Sequence, residues 1–245
     1  MIIAAISDVH SPRHFEDFVK AIDHLDALDT KPHLFLIAGD MINRGEIEEY
    51  EKVSNVLFGK MNCPIVACFG NNEFTEQRDE IKRTVKNVKF LDDQSMILEF
   101  PIKEWDRKMS VGIVGTTGSL ETPTMWQKSH IPNIDRIYQN RVDAIDRQLS
   151  RMKTDFRILL MHYSPTYKTL EGENPRFYSS MGWNIYENVL MNRKPDLVIH
   201  GHSHKGLKMA WVDSVPVFNA AFTVNGKILV IDTDTIKPGL ARYVE

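Results

Sequence analysis

Residues 1–85 repeat one pattern three times: a short apolar run, a polar loop and an amphipathic segment. The apolar runs Met1–Ser7, Leu34–Ala38 and Pro64–Phe69 are continuous, which is typical of strands buried on both faces. Alternating strands and helices predict a parallel sheet with right-handed crossovers. The amphipathic segments, with apolar residues at helical spacing, are His14–Leu28, Glu46–Phe58 and Thr75–Val85.

The rest of the chain follows a different order. Further strands are predicted at Val88–Leu91, Ser95–Phe100, Met109–Val114, Arg157–Met161 and Leu197–Ile199, and helices at Ile134–Met152 and Trp183–Met191. The last strands, Leu207–Val212, Val215–Ala220 and Lys227–Asp232, are expected to form a β-meander. Leu120–Pro132 and Tyr163–Gly182 are predicted to be irregular, and a loop as long as the second is typical of a segment that covers a site or moves.

Side chains that bind metals follow five of the apolar runs. They are Asp8 and His10, then Asp40, then Asn71, then His162, and finally His202 with His204. A single Asp after a strand is usually a helix cap, but the carboxyl ends of parallel strands meet at one edge of a sheet. This number of nitrogen and oxygen ligands exceeds what one tetrahedral ion binds, and it favours two ions that share a carboxylate.

The segments Asp8-x-His10, Gly39-Asp40, Gly70-Asn71-Asn72-Glu73, His162 and Gly201-His202-x-His204 resemble the motif series of calcineurin-like metallophosphoesterases. The resemblance spans almost the whole chain. It implies an α/β fold, a four-layer α/β/β/α sandwich of two mixed sheets, formed by one domain over residues 1–245.

The same resemblance implies which residues bind each ion. Asp8, His10 and His204 would hold the first ion, and Asn71, His162 and His202 the second, with Asp40 between them. The ions are expected to be divalent, with manganese favoured over iron, zinc or nickel. The implied reaction is hydrolysis of a phosphate ester by a metal-bound hydroxide, because two such ions activate water and stabilise charge at phosphorus.

The chain departs from the family pattern at Asn72, where the family usually has histidine. Asparagine can donate a hydrogen bond but cannot give a proton to a leaving oxygen. We therefore expect phosphodiesters or nucleotide-type esters as substrates, with Asp40 and Asn72 as catalytic residues. Asn72 and Arg176 are predicted to contact the substrate. Two alternatives stay open: a non-catalytic metal-binding scaffold of the same fold, and a nuclease.

Composition limits which binding partners and which cellular compartment are expected for this chain. A net charge of −3 and a pI of about 6.3 give no basic field for nucleic acid, so a small phosphorylated substrate is expected. The sequence shows no secretory signal and no apolar run of membrane-spanning length. Cys63 and Cys68 lie at the two ends of an extended segment, too far apart to pair. A cytoplasmic location is therefore predicted.

The remaining histidines are not expected to bind metal. His200 faces away from His202 on an extended chain, so it is interpreted as a core residue or a hydrogen-bond partner of a ligand. Surface positions are predicted for His14, His24, His33 and His130.

Overall fold

A computed structural model describes residues 1–102 and 107–236, and its strands form two mixed sheets. The first sheet contains β1 (Ile2–Ile6), β2 (Leu34–Ala38), β3 (Ile65–Cys68), β4 (Lys89–Leu91) and β11 (Leu229–Asp232). The second contains β5 (Gln94–Ile102), β6 (Arg107–Thr116), β7 (Phe156–Met161), β8 (Leu197–His200), β9 (Met209–Val212) and β10 (Val215–Asn219).

Helices connect most of these strands within the described ranges. The α-helices are α1 (Phe15–Ala27), α2 (Ile47–Phe58), α3 (Arg78–Thr84), α4 (Met125–His130), α5 (Ile134–Arg151), α6 (Tyr186–Arg193) and α7 (Phe222–Asn225). Short 3-10 helices span Thr75–Gln77, Tyr167–Leu170, Pro175–Ser180 and Thr233–Thr235.

The first sheet has the order β11-β1-β2-β3-β4, with β1 to β4 parallel and β11 antiparallel to β1. Successive side chains of a strand point to opposite faces. In β1, Ala4 and Ile6 pack against the helix layer of α1 to α3, whereas Ile3 and Ala5 pack toward the second sheet. Both faces are buried, which explains why the strand is a continuous apolar run.

The second sheet has the order β5-β6-β7-β8-β10-β9. Its inner face meets the first sheet through residues such as Ile158 and Ile199. Its outer face packs against Ile145 and Leu149 of α5 and against α6. The predicted α/β/β/α sandwich of two mixed sheets is therefore confirmed.

Two local predictions are wrong, and the bounds of one predicted helix differ from those observed. The strand β11 does not extend a meander from the β9–β10 hairpin but pairs with β1, with Ile2 opposite Asp232. Phe222 and Ile228, between β10 and β11, are buried in the core of the first sheet. Their burial places the chain beside the first sheet, where β11 then pairs with β1.

The other two corrections concern helices. Leu120–Pro132 contains α4, which begins with a capping box between Thr124 and Gln127, so the segment is not irregular throughout. The helix predicted at Trp183–Met191 begins at Tyr186 and ends at Arg193. Within the described ranges, no helix combines the length and apolar character needed to span a bilayer.

Candidate metal centre

The two sheets bring the carboxyl ends of β1, β2, β3, β7 and β8 to one edge. Backbone hydrogen bonds join the loops there: Asp8 N–H donates to Gly39 O at 3.1 Å, and Gly201 N–H donates to His162 O at 3.0 Å. The loops that follow these strands carry all seven predicted metal ligands.

The glycines of the motifs allow these loops to touch. A Cβ on Gly39 would lie 2.4 Å from the backbone nitrogen of Gly70, and one on Gly201 would lie 2.6 Å from Oδ2 of Asp8. Any larger residue would push the loops apart. The Gly-Asp, Gly-Asn and Gly-His pairs of the sequence are therefore a packing requirement of the site.

Four of the predicted ligands have left-handed backbone conformations. The φ angles are 57° for Asp8, 47° for His10, 52° for Asp40 and 68° for His202. Such conformations cost roughly 1–3 kcal/mol each for residues other than glycine, and they concentrate at functional sites. The surrounding loop contacts hold these residues where their side chains converge.

Asp8, His10 and His204 form the first cluster, and their potential ligand atoms all lie within 4.8 Å of one another. Nε2 of His204 is 3.1 Å from Oδ1 of Asp8 and 3.3 Å from Nε2 of His10. The other carboxylate oxygen of Asp8 accepts from the Ser7 hydroxyl at 2.6 Å and from the His202 N–H at 2.8 Å. One oxygen of Asp8 is thus anchored and the other faces both histidines.

Asp40, His162 and His202 form the second cluster under the same 4.8 Å limit. Nε2 of His162 lies 3.5 Å from Oδ2 of Asp40 and 3.1 Å from Oδ1 of Asn71. Nδ1 of His162 donates to Ala38 O at 2.8 Å. This bond fixes the ring and leaves Nε2 available to a metal ion, an arrangement that is usual for histidines that bind metals.

The half-buried Asn72 contacts the carboxylate of Asp40. Its backbone N–H donates to Oδ1 of Asp40 at 2.8 Å, and its side-chain amide donates to Oδ2 at 2.6 Å. Its side-chain oxygen accepts from the Arg44 N–H at 3.2 Å. Asn72 therefore orients Asp40 in this arrangement.

Histidines of the same cluster favour the ionised form of each aspartate. Burial opposes ionisation of Asp8, but hydrogen bonds to His10 and His204 outweigh it and hold the pKa well below its usual range. Burial likewise opposes ionisation of Asp40, and the charge of His162 lowers the pKa below that of an ordinary aspartate.

The two histidines of the second cluster have pKa values shifted in opposite directions. Burial favours neutral His162, but the charge of Asp40 and a hydrogen bond to it raise the pKa to about 9. Burial and the neighbouring His162 lower the pKa of His202 to about 3. Without metal, the second cluster thus holds one protonated and one neutral imidazole at pH 7.

Glu73 supports the site through hydrogen bonds that no sequence pattern predicts. Its buried carboxylate accepts backbone N–H groups from Asp40 at 2.9 Å, Met41 at 2.8 Å and Gly70 at 2.7 Å. Burial and the charge of Asp40 raise the pKa of Glu73 to about 7. Its place at the end of the Gly-Asn-Asn-Glu segment was the only signal in the sequence.

The segment Tyr163–Gly182 lies beside the centre. The ring centroids of Tyr163 and His202 are 4.9 Å apart, and Glu173 accepts a hydrogen bond from the Lys205 N–H at 2.7 Å. Arg176 lies on the exposed 3-10 helix Pro175–Ser180. Its guanidinium forms no ion pair or hydrogen bond with the described residues, so its contact with substrate stays a prediction.

The other histidines lie outside both clusters. His200 is fully buried, donates from Nδ1 to Gly201 O at 2.8 Å, and burial lowers its pKa to about 4. His24, His33 and His130 are exposed, whereas His14 is half-buried.

The donor set fits divalent transition metals. Each cluster offers two imidazoles and one carboxylate, and imidazole with carboxylate ligands suits manganese, iron, nickel or zinc. The amide oxygen of Asn71 adds a further donor beside His162. The protein therefore contains two groups of side chains that could each hold one ion.

The chain belongs to the calcineurin-like phosphoesterase family, which it matches over residues 1–206. No curated protein matches it in sequence.

Several solved structures share the fold. Phosphopantetheinyl hydrolase from Mycobacterium tuberculosis is 14% identical in sequence and has a TM-score of 0.66. The match covers 89% of this chain and 88% of the hydrolase chain. GAP50, the anchor in the inner membrane complex of Plasmodium, is 13% identical with a TM-score of 0.62 and coverages of 91% and 72%. A 5′-nucleotidase precursor from Thermus thermophilus is 13% identical with a TM-score of 0.54 and coverages of 98% and 53%.

Proposed function

We propose that this protein is a phosphoesterase that uses two divalent ions, with manganese favoured, to hydrolyse phosphodiesters or nucleotide-type phosphate esters. The observation that carries the proposal is the pair of Asp-His-His clusters at one sheet edge. They adjoin directly, because the backbone N–H of His202 in the second cluster donates to Asp8 in the first.

The family motifs suggest how the ligands divide. Asp8, His10 and His204 would hold one ion, and Asn71, His162 and His202 the other, with Asp40 shared. Two divalent ions held there would supply positive charge to phosphate oxygens and would lower the pKa of a bound water.

The protein's own residues give the site its shape. The Ser7 hydroxyl and the His202 N–H fix one oxygen of Asp8, so its other oxygen is directed at His10 and His204. Glu73 fixes the backbone of Asp40. Asn72 holds both oxygens of Asp40 and, as an amide, has no proton to give to a leaving oxygen.

The proposed preference for diesters or activated esters rests on Asn72. Expulsion of an alkoxide of high pKa is slow unless a general acid protonates it, and such an acid contributes roughly 10²–10⁴-fold. Leaving groups of low pKa need no such help. Among the proteins of the same fold, the phosphopantetheinyl hydrolase is named for the release of a phosphopantetheinyl group, and the 5′-nucleotidase precursor is named for an activity on nucleotides.

The proposed phosphate contact is Arg176. It lies three residues after Glu173, which binds the histidine loop, and its guanidinium has no acidic partner among the described residues. An unpaired guanidinium matches the geometry of a phosphate oxygen pair. We also propose a cytoplasmic location, in which the free thiols Cys63 and Cys68 would stay reduced.

A substrate panel tests the proposed reaction. Metal-stripped protein is reloaded with Mn²⁺ and assayed on an aryl diester, an aryl monoester, nucleotides and a single-stranded oligonucleotide. We expect hydrolysis of the diester or nucleotides, and none without metal. Tight metal binding with no hydrolysis would favour a non-catalytic scaffold. Preferential oligonucleotide cleavage would favour a nuclease.

A further inference from the structure

Two loops cross in direct backbone contact beside the first metal cluster. A Cβ on Gly172 would lie 2.2 Å from the carbonyl oxygen of Lys205, and one on Gly206 would lie 2.1 Å from that of Thr169. The Leu207 N–H donates to the same Thr169 oxygen at 3.0 Å. The crossing leaves no room for a side chain on either glycine, so the two loops pack directly against each other.

Glu173 ties this crossing to the metal ligands. Its Oε1 accepts the Lys205 N–H at 2.7 Å and the Ser203 hydroxyl at 3.3 Å. These two donors belong to the residues immediately before and after His204. One carboxylate oxygen therefore restrains the chain on both sides of a predicted ligand.

The consequence for His204 follows from the geometry of the first cluster. Nε2 of His204 lies 3.1 Å from Asp8 and 3.3 Å from His10, so a small rotation of its backbone would separate the three ligand atoms. The side chain of His204 is 38% exposed, whereas that of His10 in the same cluster is 12% exposed. Packing alone therefore restrains His204 less than it restrains His10.

We propose that Glu173 is a positioning residue for His204, and that it sets the metal affinity of the Asp8–His10–His204 cluster. The inference rests on the proposed function, because it requires this cluster to bind an ion. Removing a residue that hydrogen-bonds to a metal ligand and orients it typically weakens metal affinity about 10- to 100-fold.

The test is calorimetric titration of metal-free protein with Mn²⁺. Glu173→Ala is expected to weaken one of the two bound ions about 10- to 100-fold and to leave the other within a few-fold of wild type. Glu173→Gln keeps a carbonyl oxygen for the Lys205 N–H and is expected to restore most of the affinity. Glu171→Ala removes an exposed carboxylate from the same loop and is expected to match wild type.

Three outcomes would overturn the proposal: wild-type affinity at both sites in Glu173→Ala, equal weakening of both sites, or no rescue by glutamine. Thermal unfolding of the metal-free proteins checks that each variant is folded. If the alanine variant is unfolded, Glu173→Asp takes its place. The shorter aspartate side chain moves the acceptor away from the Lys205 N–H, so the same selective loss of metal affinity is expected. Wild-type protein that binds no Mn²⁺ would instead contradict the proposed function itself.

Discussion

Replacing Glu73 with alanine removes the acceptor for three buried backbone N–H groups. The groups belong to Asp40, Met41 and Gly70, with donor–acceptor distances of 2.7–2.9 Å. Each buried donor left without a partner costs about 1–3 kcal/mol. Even at the lower end of that range, the three together predict a loss of about 3 kcal/mol of unfolding free energy.

The assay is urea unfolding of metal-free protein, followed by tryptophan fluorescence and circular dichroism. Glu73→Gln retains one acceptor oxygen and is expected to lose less than the alanine variant. Glu76→Ala, at an exposed position on the following 3-10 helix, is the matched control and is expected to change little. The midpoint should shift at constant slope, since the site is rearranged without unfolding the sheets.

The same substitution is expected to weaken metal binding, because Glu73 holds the backbone of Asp40 on one side and of Gly70, next to Asn71, on the other. A loss of stability below about 1 kcal/mol in Glu73→Ala would refute this reasoning. It would mean that water replaces the carboxylate without cost.

Four further predictions concern the metal ligands and the substrate contacts. Asp40→Ala is expected to lose both ions and His10→Ala mainly one, measured as bound metal per chain. Asn72→His is expected to flatten the dependence of turnover on leaving-group pKa, gaining most on alkyl esters when the imidazole reaches the leaving oxygen. Arg176→Ala is expected to raise KM for the best substrate, because it removes a phosphate contact. Metal binding near pH 7.5 is expected to release a proton from His162, whose metal-free pKa of about 9 makes metal affinity rise with pH up to that value.

Each of these expectations has an opposing result. Retention of both ions by Asp40→Ala would remove its bridging role, and equal leaving-group slopes would show that position 72 does not serve the leaving group. A KM unchanged in Arg176→Ala, and equal to that of the exposed-arginine control Arg83→Ala, would exclude the phosphate contact. Calorimetry in buffers of different ionisation enthalpy that detects no proton release would contradict the protonated state of His162.

The convergence of the seven predicted metal ligands could be anticipated because each follows an apolar run. Asp8, Asp40 and His162 come within two residues of the ends of their buried strands, and parallel strands place such positions at one edge. The Gly-His-x-His segment added two imidazoles at the same edge. Local patterns were sufficient here because the strands are buried on both faces.

The supporting residues could not be predicted, because their partners are distant in sequence. Glu73 binds the backbone of a loop 33 positions earlier, and Glu173 binds Lys205, 32 positions later. The placement of β11 next to β1 likewise depends on a pairing across nearly the whole chain. The spacing of apolar residues along the chain does not predict such long-range contacts. It also does not predict the left-handed backbone conformations of Asp8 and His202.

The most direct test of the metal centre is a titration of metal-stripped protein with Mn²⁺ in which bound metal and diester hydrolysis are measured in the same samples. If both clusters act together, binding saturates at two ions per chain, and hydrolysis rises with the second ion rather than the first. Saturation at one ion or fewer, or full hydrolysis with only one ion bound, would contradict a reaction that uses both clusters.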